Sequence, residues 1–360
     1  MSSKKILFIC LHRPNRTPSQ RFRFEQYIDY LNENGFVCQH KFLLNKNDDT
    51  VYYSAGNIFR KLIIVLKSFV FLWSESSKED HDIVFVQREA FMLGTAFFEK
   101  RFSKKAKLVF DLDDSIWLQQ TGEIKSKNKL FYFLKNPAKT KEIVQHAHLI
   151  LAGNEYIANF AAQFNNTIEI IPTTIDTDIY KPLVKLEQPE ICIGWSGSFS
   201  TIIHFQHVLP ALLELKEKYQ DKIYFKVIGD GTFTDKLLNI QGIPWNAKTE
   251  LENLSEIDIG LMPLPDDEWT KGKCALKALQ YMALGIPCVV SPVGVNTTVI
   301  SDGVNGYLAE NTKEWVDKLS LLIDNYQLRQ KLGSEGLQTV QKYYSVKSIQ
   351  NKFVHTLLEL

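Results

Sequence analysis

At 360 residues, with 45% hydrophobic and 23% charged side chains, the chain is longer than a single core usually grows and apolar enough to fold. This excludes a disordered tail or a small disulfide-stapled module and points to two globular domains. The formal net charge of +1 excludes a broadly basic nucleic-acid binder, yet residues 1–185 hold 26 Lys+Arg against 20 Asp+Glu and the remainder 16 against 21. The first half therefore faces an anionic partner, with much of its charge in the runs 100–107 and 125–141.

Cys10, Cys38, Cys192, Cys274 and Cys288 lack C-x-x-C spacing and sit mostly in apolar runs. They read as reduced core residues of a cytoplasmic protein, with no disulfide framework and no zinc site. The apolar stretch near the start, 6–11, is too short for the core of a signal peptide and reads as a strand.

In chain order, ILFIC (6–10) predicts the first strand. The loop HRPNRTPSQRFR (12–23) follows it, and its Arg13 and Arg21 suit a phosphate or carboxylate as well as a solvated basic turn. A helix over 20–34 ends at Gly35, and strands are expected at 37–42, 83–86, 108–110, 149–151 and 168–171. The longest apolar stretch, IFRKLIIVLKSFVFLW (58–73), is shorter than the roughly 20 residues that span a bilayer and is interrupted by Arg60, Lys61 and Lys67. It predicts a helix that either covers a sheet face or lies on an anionic membrane surface. After the third strand comes Arg88, another candidate cation. After the fourth, DLDDS (111–115) sets Asp111 and Asp113 where they orient an acceptor hydroxyl, take its proton, hold a divalent ion or cap the next helix. The aromatic run 131–133 reads as packing.

A proline-bearing linker at 172–190 divides the chain into domains 1–180 and 181–345, with a last amphipathic helix, 346–360, assigned to the second domain or crossing back to the first. The second series begins with a strand at 191–195 and the turn GWSGS (194–198), where Gly197 admits an oxygen ligand to the backbone and Ser198 adds a hydroxyl. A helix at 205–219, a strand at 224–228 ending in VIGDG (227–231) with Gly229, a short region at 240–243 before Trp245, and a strand at 257–262 follow. The βαβ rhythm, run twice, predicts two Rossmann-like, doubly wound α/β domains that bind ligands at strand carboxyl ends, in the cleft between them.

The densest signal is KGKCALKALQYMALGIPCVVSPV (271–293). Gly272 and Lys273 open a helical pattern whose free N–H groups attract anions. Lys273 and Lys277, four apart, project from one face, and Leu276, Leu279, Met282 and Ala283 form the apolar one. The helix stops at Gly285, before a strand at 287–290. Two cations at a positive helix end suit a diphosphate; the alternative is an amphipathic helix with solvated lysines.

The phrase QYMALGIPCVV (280–290) resembles the "YMAxGxPVV" phrase of glycosyltransferases of family 4, the group 1 enzymes of GT-B fold. The resemblance is strongest over 191–308 and looser before it. It implies two Rossmann-like domains facing across a cleft, a nucleoside diphosphate-sugar donor, and a glycan or lipid-linked acceptor. It further implies Lys273 and Lys277 on the departing diphosphate, Gly197 and Ser198 beside it, Gly229 and Trp245 toward the nucleotide, and Gln280 at the ribose. Asp113 then serves catalysis on the acceptor side, with Arg13, Arg21, Arg88 and Asp111 as acceptor or phosphate contacts. Transfer with retention, no required metal or cofactor, no nucleic-acid partner, and work in surface polysaccharide or glycoconjugate synthesis at the inner face of the membrane complete the expectation. A nucleotide-sugar epimerase of the same fold and a non-catalytic nucleotide-sugar-binding protein are the alternatives. Three departures stand out. Gly272 and Gln280 occupy the places of the family's two glutamates spaced E-x7-E, Ser200, Thr201 and His204 stand where basic residues are common, and no histidine accompanies the first-domain aspartates.

Overall fold

The computed structural model describes residues 3–118, 134–183 and 187–360. It divides into two units, Met1–Pro172 with Gln350–Leu360, and Thr173–Ile349. The aromatic run 131–133 and most of the basic run 125–141 lie outside the described residues.

In the first unit six strands, β1 (Lys4–His12), β2 (Phe36–Leu44), β3 (Ile83–Gln87), β4 (Lys107–Leu112), β5 (Leu149–Ala152) and β6 (Ile168–Ile170), line up in the order β2-β1-β3-β4-β5-β6. All neighbours are parallel. Residues 6–10 of β1 are fully buried, because helices cover both faces of a parallel sheet and leave no polar side for alternation. The order reverses between β1 and β3, so the loops leaving these two strands part to opposite faces and open a crevice at their carboxyl ends.

The single helix expected over 20–34 is three short pieces: Pro18–Arg21, a 3-10 turn at Glu25–Tyr27, and Ile28–Glu33. Phe22, Arg23 and Phe24 are 3%, 2% and 0% exposed. Three successive residues cannot all face inward from one continuous helix, whose side chains fan out by about 100° each, so the chain breaks to bury them. Phe24 then stacks on Phe8, ring centroids 4.9 Å apart. Residues 350–358 of the last helix, Val346–Leu358, pack within this unit, with Phe353 stacked 4.5 Å from Tyr27 and Lys352 Nζ donating to the Ile170 carbonyl at 3.0 Å.

The second unit repeats the scheme with β7 (Ile191–Ser196), β8 (Ile223–Gly229), β11 (Ile243–Pro244), β12 (Ile259–Met262), β13 (Cys288–Val290) and β14 (Tyr307–Leu308), ordered β11-β8-β7-β12-β13-β14 and all parallel. A two-stranded antiparallel ribbon, β9 (Thr234–Asp235) with β10 (Ile240–Gln241), stands beside it. Here the order reverses between β7 and β12, which makes the loops after those two strands the natural place for a ligand.

Candidate functional site in the second unit

The loop after β7 and the loop after β8 touch backbone to backbone. The Gly197 N–H donates to the Ile228 carbonyl at 2.9 Å. A Cβ on Gly197 would lie 2.1 Å from the Trp195 ring, and one on Gly229, at φ +123°, would lie 1.9 Å from the Gly197 oxygen. A side chain at 229 would push the two loops apart, and one at 197 would collide with the Trp195 ring. Ser198 closes a local turn, its N–H donating to Thr201 Oγ1 at 2.9 Å and its hydroxyl 2.9 Å from that of Ser200.

The segment after β12 departs from expectation. No single helix starts at Gly272. Asp267 accepts from the Thr270 N–H at 2.8 Å, and a reciprocal bond completes a capping box that starts a four-residue helix, Glu268–Lys271. Gly272 ends it. Ala275, at φ +53°, then turns the chain into a second helix, Leu276–Ala283. Lys273 therefore precedes the helix whose first turn carries Lys277, and the two cations sit on separate segments. The second helix has no side-chain cap and no acid in its first turn, so its positive end is left to other partners. Tyr281 anchors this helix to the sheet, accepting from the Ser196 N–H at 2.9 Å and donating to the Leu261 carbonyl at 3.4 Å, at the ends of β7 and β12.

His204 lies beside the lysines. It is 7% exposed, and neither ring nitrogen has a hydrogen-bond partner. Burial first, then the charges of Lys277 and Lys273, push it down to about 4, so it is neutral near pH 7 with one nitrogen ready to donate. The Lys277 ammonium lies 5.5 Å from the centre of the Trp195 ring and that of Lys273 5.1 Å from that of Trp269. The Trp269 indole N–H is also buried without a partner. Cations and unspent donors thus gather where the strand order reverses, and their common complement is an anion rich in oxygen.

Gln280 belongs to a second cluster on the same helix. Glu250, 5% exposed, accepts from Tyr180 OH at 3.0 Å, Trp245 Nε1 at 3.0 Å and Gln280 Nε2 at 3.4 Å, while Gln280 also reaches Tyr180 OH at 3.3 Å. Residue 280 lacks the carboxylate expected of the resemblance, and Glu250 brings one against it from another helix, Glu250–Ser255. Sequence reading missed Glu250 because it opens an acidic stretch that looks like a solvated helix face. It missed Tyr180 because that residue stands in the linker. His204 drew notice only for standing where the resemblance expects an arginine or lysine.

In the first unit the candidate residues also gather at strand ends. Arg13 Nη1 and Arg16 Nε donate to Asp49 at 2.9 and 2.7 Å. Beside them His12, pushed down to about 4 mainly by burial, accepts from or donates to Tyr53 OH at 3.1 Å. Arg88, in the left-handed region at φ +63°, donates to both oxygens of Asp113 at 2.6 and 3.0 Å. Arg21 lies over the Phe22 ring at 5.0 Å. Asp111 is 1% exposed and held by Arg23, whose Nη2 donates at 2.5 Å and whose Nη1 meets the Ile171 carbonyl. Among the described residues no group of three or more His, Cys, Asp or Glu side chains is placed to hold a metal ion.

Residues 190–325 match the family model of glycosyl transferases group 1. That span lies within the second unit, Thr173–Ile349. A stretch of 134 residues is 29% identical to an uncharacterized glycosyltransferase of Methanocaldococcus jannaschii, covering 33% of this chain and 36% of the relative, so about a third of that relative's length is matched. Solved structures resemble the whole chain. Sucrose-phosphate synthase from Thermosynechococcus elongatus superposes with a TM-score of 0.71 at 11% identity, over 99% of this chain and 98% of its own. Anabaena HepE in complex with UDP and glucose gives 0.68 at 13% identity, over 99% and 100%. These likenesses show the fold, GT-B, for both units, and the unit matched by the group 1 model carries the lysine and histidine cluster.

Proposed function

We propose that the protein is a glycosyltransferase that moves a sugar from a nucleoside diphosphate-sugar to a glycan or lipid-linked acceptor. The observation that carries this reading is the unpartnered, buried His204 beside Lys273 and Lys277 at the uncapped start of Leu276–Ala283. Two ammonium groups, a neutral imidazole donor and helix N–H groups together match the charge and oxygen count of a diphosphate. Such preset donors act most strongly on charge that develops as the sugar–phosphate bond breaks. Gly197 and Gly229 let the loops after β7 and β8 close on each other, and the Glu250–Gln280–Trp245 cluster takes the nucleoside, with carboxylate and amide oxygens for ribose hydroxyls. The lysines neutralise the leaving group in this reading, so it requires no metal. Retention at the anomeric carbon, Asp113 on the acceptor side, and a role in surface polysaccharide or glycoconjugate synthesis belong to the same proposal.

UDP is the first probe, since it occupies a structure of the same fold. Lys277→Ala is expected to leave the melting transition in place and to cut UDP release from UDP-sugars, in the presence of a lipid and glycan extract, by about 10²–10³-fold, the usual loss when one charge-stabilising donor is removed. Near-normal turnover in that variant would refute the reading.

A further inference from the structure

The helix Ile58–Glu75 does two things at once. Ile64, Ser68, Leu72 and Glu75 are buried and join it to the first unit. The opposite side is left open, with Phe59 85%, Ile58 76%, Val70 67%, Leu66 56%, Leu62 54% and Trp73 47% exposed. At about 100° per residue these side chains share an arc of about 120°, along a helix of roughly 27 Å. Scattered apolar residues on a surface are ordinary, but a continuous face of this length marks a contact site.

The charges around the face select the partner. Residues 58–74 contain Arg60, Lys61 and Lys67 and no acid. Lys67 is 64% exposed at its side chain and 3.9 Å from Asp48, while Lys61 turns back to the Ser54 carbonyl at 2.6 Å. Arg60 and Lys67 fall together on one border of the apolar arc. On the far end Arg101 lies over the Trp73 ring at 4.4 Å and the Phe97 ring at 5.7 Å, which extends a cationic rim past the helix. No helix among the described residues is long and apolar enough to cross a membrane, so this is a surface device. Pairing two copies through this face would set like charges against each other. A bilayer containing anionic lipid instead receives the apolar arc at the acyl boundary and the cations at the phosphates.

We infer that Ile58–Glu75 docks the protein flat on an anionic lipid surface. The proposal rests on the first unit and stands or falls apart from the donor reading. Its test is flotation of the full chain with vesicles of phosphatidylcholine alone and of equimolar phosphatidylcholine and phosphatidylglycerol, at low and raised salt, with light scattering on the free protein. Binding to the mixed vesicles, weakened by salt, is expected, with a loss of about tenfold or more in Val70→Glu and in the pair Arg60→Glu, Lys67→Glu. Both variants alter exposed positions and should keep the wild-type melting temperature and UDP binding. Absence of the wild-type chain from the floated vesicles, or equal binding by both variants, overturns the inference. So does a dimer that Val70→Glu dissolves, which would assign the face to a second copy.

Discussion

Gly229→Ala probes how closely the two ligand-side loops of the second unit must approach. The new Cβ would lie 1.9 Å from the Gly197 oxygen and 2.6 Å from its carbonyl carbon, both backbone atoms, at φ +123°. Holding an L-residue in that region costs of order 1–3 kcal/mol, and forcing a methyl into packed backbone a further 1–3. A total near 3 kcal/mol lowers the melting temperature of a unit this size by roughly 6–12 °C. The matched control is Gly303→Ala, at φ +75° with its nearest neighbour a ring carbon of Tyr307 at 3.8 Å, where conformational strain acts without a clash. Calorimetry should show Gly229→Ala melting well below Gly303→Ala, and UDP titrations should weaken about tenfold or more only in Gly229→Ala, because the Gly197 turn has moved relative to Lys277. If the two variants melt together and bind UDP like the parent, the loop contact does not shape the site.

Two further substitutions test the first unit. Glu99 is fully buried; its Oε1 accepts from the Ala90 N–H at 2.8 Å and its Oε2 has no hydrogen-bond partner. Burial pushes the carboxyl from 4.5 up to about 7. The folded state therefore binds this proton more tightly than the unfolded chain, so its contribution is intact below about pH 4.5 and declines by roughly 3 kcal/mol as pH climbs to 7. Glu99→Gln should remove that slope and raise the urea midpoint above pH 7; an unchanged pH profile would count against it. Asp111→Asn leaves the Arg23 guanidinium in the core without its counter-charge and is expected to cost about 3–5 kcal/mol, most of it regained in the double variant Arg23→Met, Asp111→Leu. Urea titrations of the pair decide it, and a mild effect of Asp111→Asn alone would show that Arg23 finds another partner.

The strands of three residues or more were legible because each is a short run of apolar, β-branched or aromatic residues between helical patterns, as a parallel sheet demands of strands it buries, whereas the two-residue strands Thr234–Asp235 and Tyr307–Leu308 were not. The helix breaks were not. Ala275 and the Phe22–Phe24 stretch carry neither glycine nor proline at the bend, and tertiary contacts impose their turns: Tyr281 on the ends of β7 and β12, and Arg23 on Asp111. In the candidate site, Lys273, Lys277, Gly197, Gly229, Trp245 and Gln280 were visible as motif positions. Glu250, Tyr180 and Trp269 were not, since they reach the site from a surface-like acidic helix, a linker and a four-residue helix that no periodicity announces. The asymmetry has a physical cause: motifs record what one segment contributes, while clusters record what distant segments bring together.

The last helix has a further meaning in the path of the chain. Because residues 350–360 belong with the first unit and 173–349 form the second, the backbone leaves the first unit once and returns to it once. The second unit is thus an insertion held by two covalent threads. One proteolytic nick in either thread leaves the units tethered, each still at a high effective concentration for the other. Cutting the second unit free takes two breaks, and a version truncated after residue 349 would deprive the first unit of Phe353 and the stack it makes on Tyr27.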